Sequence, residues 1–176
     1  MRASTRLLSV ITFLSIGSCT HAHNYKTVDH LDRDRFMGSW YIQAGRFTPL
    51  EKEVTNGVET YTWNENKQRI DINFSYNKGD FSGPLKKIPQ KGYIENTQSN
   101  AHWKVSPIWP LKFDYLVIAL DPDYQWTAIG VPDQKYLWVM TRDPQFSKEH
   151  LEQVLKKIES NGYRVDNLTY VPHQKK

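Results

Sequence analysis

Eight short segments that read as β-strands follow one another between Trp40 and Thr141, and they constrain the fold more than any other feature of the chain. Residues 70–76 alternate apolar and polar side chains, as a strand with one buried face does. Residues 79–84 and 121–123 are rich in Gly, Pro and Asp, which is typical of turns. Such regular spacing indicates a β-sandwich or a barrel. The predicted strands cover residues 40–47, 58–63, 70–76, 91–96, 102–106, 115–120, 126–131 and 136–141.

The period changes after the eighth strand. Ser147 is a typical helix N-cap, and Asn161-Gly162 is a typical helix end. Between them, apolar residues at helical spacing form one face: Leu151, Val154, Leu155 and Ile158. Residues 165–171 are a candidate last strand. We therefore expect an all-β fold, an eight-stranded antiparallel up-and-down barrel with one C-terminal α-helix packed outside, which has room for one small ligand.

The N-terminus has the pattern of a secretory signal peptide. Arg2 and Arg6 precede an apolar run over residues 7–16, which is too short to span a bilayer. Small residues then lead directly to Cys19, the one cysteine of the chain. This arrangement resembles the bacterial lipobox, in which cleavage leaves the cysteine first in the chain and joins it to diacylglycerol.

The lipobox resemblance implies a membrane anchor with three acyl chains, enough for stable attachment. Thr20 stands where an Asp would retain the protein in the inner membrane, so we expect the outer membrane, with the domain on the periplasmic face. The predicted organisation is a signal peptide over 1–18, a lipidated tether over 19–30 and one domain over 31–176.

Charge and length narrow the function classes. The net charge is +4, and removal of Arg2 and Arg6 leaves 4 − 2 = +2. This is too small to favour nucleic-acid binding. A domain of about 150 residues buries a full core without disulfides, and with Cys19 acylated no thiol remains to form one.

Three motifs follow one another along the chain. The first strand begins Gly38-Ser39-Trp40-Tyr41, residues 115–124 read YLVIALDPDY, and residues 136–144 read YLWVMTRDP. In this order they resemble the conserved regions of the lipocalins, most closely the bacterial lipocalins related to apolipoprotein D. The resemblance covers about residues 25–171. It implies an outer-membrane lipoprotein that binds and stores or transports fatty acids or lysophospholipids for envelope maintenance.

Strand polarity assigns the two ends of the barrel. Trp40 begins the first strand and Arg142 ends the eighth, so closure brings both to one end. The resemblance implies that Trp40 plugs this closed end with Arg142 across its ring, and that both, with Gly38, are structural residues. The loops after strands one, three, five and seven then form the mouth. Lysines and exposed aromatic side chains at its rim are expected to contact lipid head groups or a membrane: Lys86, Lys87, Trp109 and Phe113.

The side chains that face the barrel interior follow from period two. Trp138 and Met140 share a face with Arg142, and Ala119 is expected on the same face as its strand neighbours Tyr115 and Val117. The predicted ligand-binding residues are Trp138, Tyr115, Met140, Val117, Trp103, Phe74 and Ile72.

The sequence contains no recognisable catalytic motif. The sequence has no Gly-rich phosphate loop, nucleophile elbow or zinc-ligand spacing, and no titratable residue is assigned to the interior near the mouth. We expect no enzyme activity, no cofactor and no metal. Two alternatives stay open: a barrel isomerase or cyclase acting on a lipophilic substrate, and a haem or pigment carrier. The second needs a histidine inside the barrel. His102 is the neighbour of the inward-facing Trp103 in the same strand, so we expect it to face outward. The sequence also leaves open whether the chain forms a homodimer.

Overall fold

The computed structural model describes residues 26–49 and 51–175. The predicted signal peptide, Cys19 and most of the predicted tether lie outside these residues. The elements of the described part are α1 (Arg33–Phe36), β1 (Gly38–Arg46), β2 (Val54–Asn64), a 3-10 helix (Glu65–Lys67), β3 (Arg69–Lys78), β4 (Leu85–Ile94), β5 (His102–Ser106), β6 (Phe113–Leu120), β7 (Trp126–Gly130), β8 (Leu137–Thr141), α2 (Lys148–Ser160) and β9 (Thr169–Tyr170).

Strands β1 to β8 form a closed antiparallel barrel in sequence order. Each strand pairs with the next, and β1 pairs with both β2 and β8. The predicted up-and-down barrel with an external C-terminal helix is therefore confirmed. The first four residues of β1 pair with β2, whereas Ala44 and Gly45 pair with β9. The last predicted strand is thus a two-residue segment that covers the part of β1 that β2 leaves free.

The core is divided into two layers. The inner layer lies inside the barrel and includes Trp40, Phe74, Trp103 and Met140. The outer layer lies between α2 and strands β6, β7 and β8, where Leu151, Val154 and Ile158 of the helix are buried. Among the described residues, both layers lie within residues 28–171. A chain that begins at residue 20 therefore keeps every described core residue and is long enough to fold by itself.

Ala119 packs in the outer layer, so its predicted inward orientation is wrong. The β6–β7 pairing shifts register between Val117 and Ala119. An irregularity of this kind reverses the face of every residue beyond it. The alternation that places Tyr115 and Val117 inside therefore does not continue to the end of β6.

Strand β4 also differs from its prediction, because it begins at Leu85 and not at Lys91. Leu85 to Ile88 pair with Asn77 to Phe74 of β3. The sequence Lys-Lys-Ile-Pro in this stretch lacks apolar alternation, so its strand character comes from pairing with β3.

In the described residues, no helix has the length and apolar character that crossing a membrane requires.

Candidate functional site

A cavity of about 690 Å³ lies at the barrel end where the β1–β2, β5–β6 and β7–β8 loops meet. This volume is within the range of about 300–1,000 Å³ that is typical of small-molecule sites. Its wall is mostly apolar and includes Phe74, Ile88, Val105, Tyr115, Val131 and Trp138. Three of the predicted ligand-binding residues, Phe74, Tyr115 and Trp138, thus lie on the cavity wall.

The other four predicted ligand-binding residues do not line this cavity. Met140, Val117, Trp103 and Ile72 are at most 3% exposed and belong to the inner core. The reason is that aromatic side chains fill the closed half of the barrel. Phe36 of α1, which was not predicted, packs 5.4 Å from Trp103 between ring centroids. The ligand space is therefore confined to the half of the barrel near the mouth.

The closed end has a dense set of contacts around Arg142. Its guanidinium carbon lies 3.7 Å from the centroid of the Trp40 ring. Nη1 donates to the Ser39 carbonyl oxygen at 2.9 Å, and Nη2 donates to the carbonyl oxygens of Arg35, Phe36 and Met37 at 2.8–3.2 Å. Arg142 thereby ties α1 and the start of β1 to the end of β8.

Gly38 adjoins this contact set with a φ of +96°, a conformation that side chains with a Cβ rarely adopt. A Cβ atom at Gly38 would lie 3.3 Å from Arg142 Nη1. The chain therefore needs glycine here for its backbone conformation as well as for space.

Two buried carboxyl groups line the cavity, and sequence reasoning missed both. Glu59 is 4% exposed and projects inward from β2. Its pairing partner on β1 is Trp40, and its hydrogen-bond partner Tyr61 is in the inner core, so Glu59 lies at the inner end of the cavity. The hydroxyl groups of Tyr61 and Tyr115 both donate to Glu59 Oε2, the second at 3.1 Å.

Glu51 is the second carboxyl group and lies in the β1–β2 loop with 8% exposure. Its Oε1 accepts from Trp138 Nε1 at 3.0 Å. Its Oε2 accepts from the backbone N–H and the hydroxyl of Thr48, at 2.9 and 2.7 Å. Glu51 thus fixes the orientation of the Trp138 ring, whose indole N–H would otherwise have no acceptor in an apolar wall.

Burial controls the protonation of this pair. Desolvation raises the pKa of Glu59 to about 7, with a further increase from the nearby charge of Glu51, although the tyrosine hydrogen bonds oppose it. Desolvation also raises the pKa of Glu51, and its hydrogen bonds to Thr48 and Trp138 oppose this. Both groups hold their protons more tightly than exposed glutamates do.

The sequence offered no titratable candidate for the interior near the mouth, whereas the structure places Glu51 there and Glu59 deeper in the cavity. Glu51 was missed because it is in a loop, where alternation along a strand gives no side-chain orientation. Glu59 was missed because the apolar residues of β2 do not indicate which face of the strand is buried. His102, in contrast, does face away from the interior. Its imidazole contacts Asp114 Oδ1 at 2.7 Å, on the opposite side of β5 from the fully buried Trp103.

The predicted rim residues occupy different positions at the mouth. Trp109 and Phe113 are 74% and 54% exposed, and Phe113 also lines the cavity. Lys86 and Lys87 are exposed residues of β4, and not of the preceding loop. Lys86 has the parity of Ile88, which lines the cavity, so Lys86 is on the inward face and Lys87 on the outward face. Other apolar side chains are also exposed near the mouth: Phe81, Leu85, Ile108 and Leu111.

Comparisons with known proteins agree with this architecture. Residues 31–173 match the family model of the lipocalin-like domain. Temperature-induced lipocalin-1 of Arabidopsis thaliana is 31% identical over 170 residues, which cover 87% of this chain and 85% of that protein. The outer membrane lipoprotein Blc of Citrobacter freundii is 30% identical over 158 residues, with 90% and 88% covered.

The fold also resembles solved structures of low sequence identity. Insecticyanin from the tobacco hornworm Manduca sexta aligns with a TM-score of 0.65 at 15% identity, over 86% of each chain. Lobster apocrustacyanin A1 aligns with a TM-score of 0.63 at 12% identity, over 82% of this chain and 81% of that one. At these identities the likeness concerns the fold alone.

Proposed function

The chain belongs to the lipocalin family, and from this premise we propose that it is an outer-membrane lipoprotein that binds a lipid in the barrel cavity. The proposed ligand is a fatty acid or a lysophospholipid, each of which has one acyl chain. The observation that carries the proposal is the mostly apolar cavity of about 690 Å³, which is open at one end of an otherwise packed barrel. The similarity to outer membrane lipoprotein Blc supports the location.

The energetics of the cavity suit an acyl chain. Burial of one methylene group contributes about 0.8 kcal/mol. About ten methylene groups therefore supply about 8 kcal/mol, which corresponds to micromolar affinity before the cost of ordering the chain. The wall residues Phe74, Val105 and Trp138 provide the apolar surface for this burial.

The rim is suited to exchange lipid with a membrane surface. Among the described residues, Trp109 is the most exposed of the large apolar side chains at the mouth. Lys86 and Lys87 are exposed at the start of β4 and add positive charge to the rim, and such residues attract anionic lipid surfaces. We propose that the mouth contacts a membrane while a lipid passes into the cavity, and that acylated Cys19 keeps the domain at the outer membrane, facing the periplasm.

We further propose that the protein is a carrier and not an enzyme. A lipid taken up by the cavity should then be recovered chemically unchanged. Overnight incubation with a lysophospholipid, followed by extraction and mass spectrometry, tests this. A time-dependent product that Glu59→Gln abolishes would instead support the isomerase or cyclase alternative, for which Glu59 is the titratable group.

A matched pair of variants tests where the lipid binds. Trp138 and Trp126 are 9% and 8% exposed, but Trp138 lines the cavity whereas Trp126 packs in the outer core. Replacement of each by alanine, in a chain of residues 20–176, should weaken binding of a fluorescent fatty acid to the folded protein by about tenfold for Trp138 only. Equal affinities in both variants would refute the cavity as the site.

A further inference from the structure

The buried carboxyl groups of Glu51 and Glu59 have no cationic partner among the described residues. Every Lys, Arg or His that lies within 4 Å of a carboxylate there pairs with another acid, namely Asp34, Glu53, Asp71, Asp114 or Asp166. A buried carboxylate without a counter-charge is costly. An apolar lipid cavity does not need such a group, so the pair calls for an explanation in terms of the ligand.

Glu59 has one oxygen that is open to the cavity. Both tyrosine hydroxyl groups donate to Oε2, and no described residue donates to Oε1. In the described residues, every side-chain oxygen or nitrogen that is fully buried has a hydrogen-bond partner. Since Oε1 has no such partner, it is not fully buried, and it is accessible from the cavity that Glu59 lines. The residue as a whole is 96% buried. This oxygen is an acceptor that only an occupant of the cavity can satisfy.

The cavity walls beside the two carboxyl groups are aromatic, because Tyr115 contacts Glu59 and Trp138 contacts Glu51. The rings of Tyr115 and Trp138 are stacked with centroids 6.3 Å apart, and Tyr136 lies 6.0 Å from Trp138. All three line the cavity together with the two carboxyl groups. Aromatic faces attract cations, and quaternary or protonated amines are typically held by such rings. Negative charge and π-faces thus favour the same class of ligand.

We propose that the inner end of the cavity is a subsite for an alkylammonium group, so that the protein binds cationic amphiphiles with the amine toward Glu59 and the alkyl chain along the apolar wall. This inference rests on the proposed lipid-binding function. A fatty-acid carboxylate cannot occupy the same subsite, since it would face two carboxyl groups. It binds with its head group at the lysines of the rim. The cavity therefore discriminates between lipids by the charge of the inserted end.

The test uses three probes of equal chain length: dodecylamine, dodecanol and dodecanoate. Each is titrated into residues 20–176 by calorimetry, the two ionic probes below their micelle concentrations and dodecanol below its solubility limit. At about pH 8, where Glu59 is ionised, dodecylamine should bind about tenfold or more tightly than dodecanol. Glu59→Gln should reduce the ratio of the two affinities to near one. The matched control is Glu95→Gln, an exposed carboxyl group beyond the end of β4, which should keep the wild-type ratio.

The outcomes separate this inference from the function on which it rests. If none of the probes binds, the lipid-binding function fails and the amine subsite fails with it. If dodecanol and dodecanoate bind but dodecylamine has no advantage, or keeps its advantage in Glu59→Gln, the amine subsite alone is refuted. Should Glu59→Gln not fold, the wild-type protein at about pH 5 serves instead, because protonation of Glu59 should then remove the preference.

Discussion

Glu59 should make the folded chain less stable as the pH rises through neutrality. The group has an ordinary pKa of 4.5 and a pKa of about 7 in the folded chain. Because the folded chain binds this proton more tightly than the unfolded chain does, the stabilisation is complete below about pH 4.5 and is lost as the pH rises through about 7. Replacement of Glu59 by glutamine, which keeps an acceptor for Tyr61 and Tyr115, should remove this dependence.

The expected magnitude follows from the two pKa values. Each pH unit between 4.5 and about 7 corresponds to about 1.4 kcal/mol, so Glu59 changes the free energy of unfolding by about 3 kcal/mol across this window. Glu51 changes it in the same direction, because burial raises its pKa too. His173 acts in the opposite direction, since burial lowers its pKa. Both groups remain in the variant, so the difference between the two proteins reports Glu59 together with its electrostatic coupling to Glu51.

The assay is urea unfolding of residues 20–176, followed by tryptophan fluorescence at intervals between about pH 5 and pH 8. The wild-type protein should lose about 2.5 kcal/mol more than Glu59→Gln over this range, which starts slightly above the unfolded pKa. Glu95→Gln, with an exposed carboxyl group, should follow the wild type. Parallel curves for the wild type and Glu59→Gln would refute the reasoning, since they would mean that Glu59 titrates in the folded chain as it does in the unfolded one.

Three further predictions concern the closed end, the rim and the anchor. Arg142→Ala should lower the stability by about 3 kcal/mol through loss of the Trp40 contact and the charged hydrogen bonds, while a fluorescent fatty acid still binds the folded fraction; loss of binding at unchanged stability would contradict this. Trp109→Ser should weaken sedimentation of residues 20–176 with phosphatidylglycerol vesicles, and unchanged sedimentation would argue against membrane contact by the rim. Cys19→Ser should abolish lipid labelling and release the protein from membrane fractions, and labelling that persists would exclude acylation at Cys19.

The periodic parts of the chain were predictable because their packing is regular. Helix α2 has one apolar face, and its predicted N-cap is observed, with the Ser147 hydroxyl accepting from the His150 N–H. Strand β3 alternates along its whole length, so Phe74 could be assigned to the interior. Where the regularity breaks, prediction fails. The register shift after Val117 turns Ala119 outward, and the four-residue helix α1 is too short to produce a period.

The inward orientation of Glu59 was not predicted from the strand pattern. The pairing register of the β2–β3 hairpin would have predicted it. In β2, Val58 and Tyr61 have opposite parity, so the strand pattern by itself does not choose a buried face. The following turn does choose it. In the β2–β3 hairpin Trp63 pairs with Ile70, Tyr61 with Ile72 and Glu59 with Phe74. Directly paired residues face the same side of a sheet. Since Phe74 is an interior residue, its partner must be one too, and the acidic inner end of the cavity follows from the hairpin.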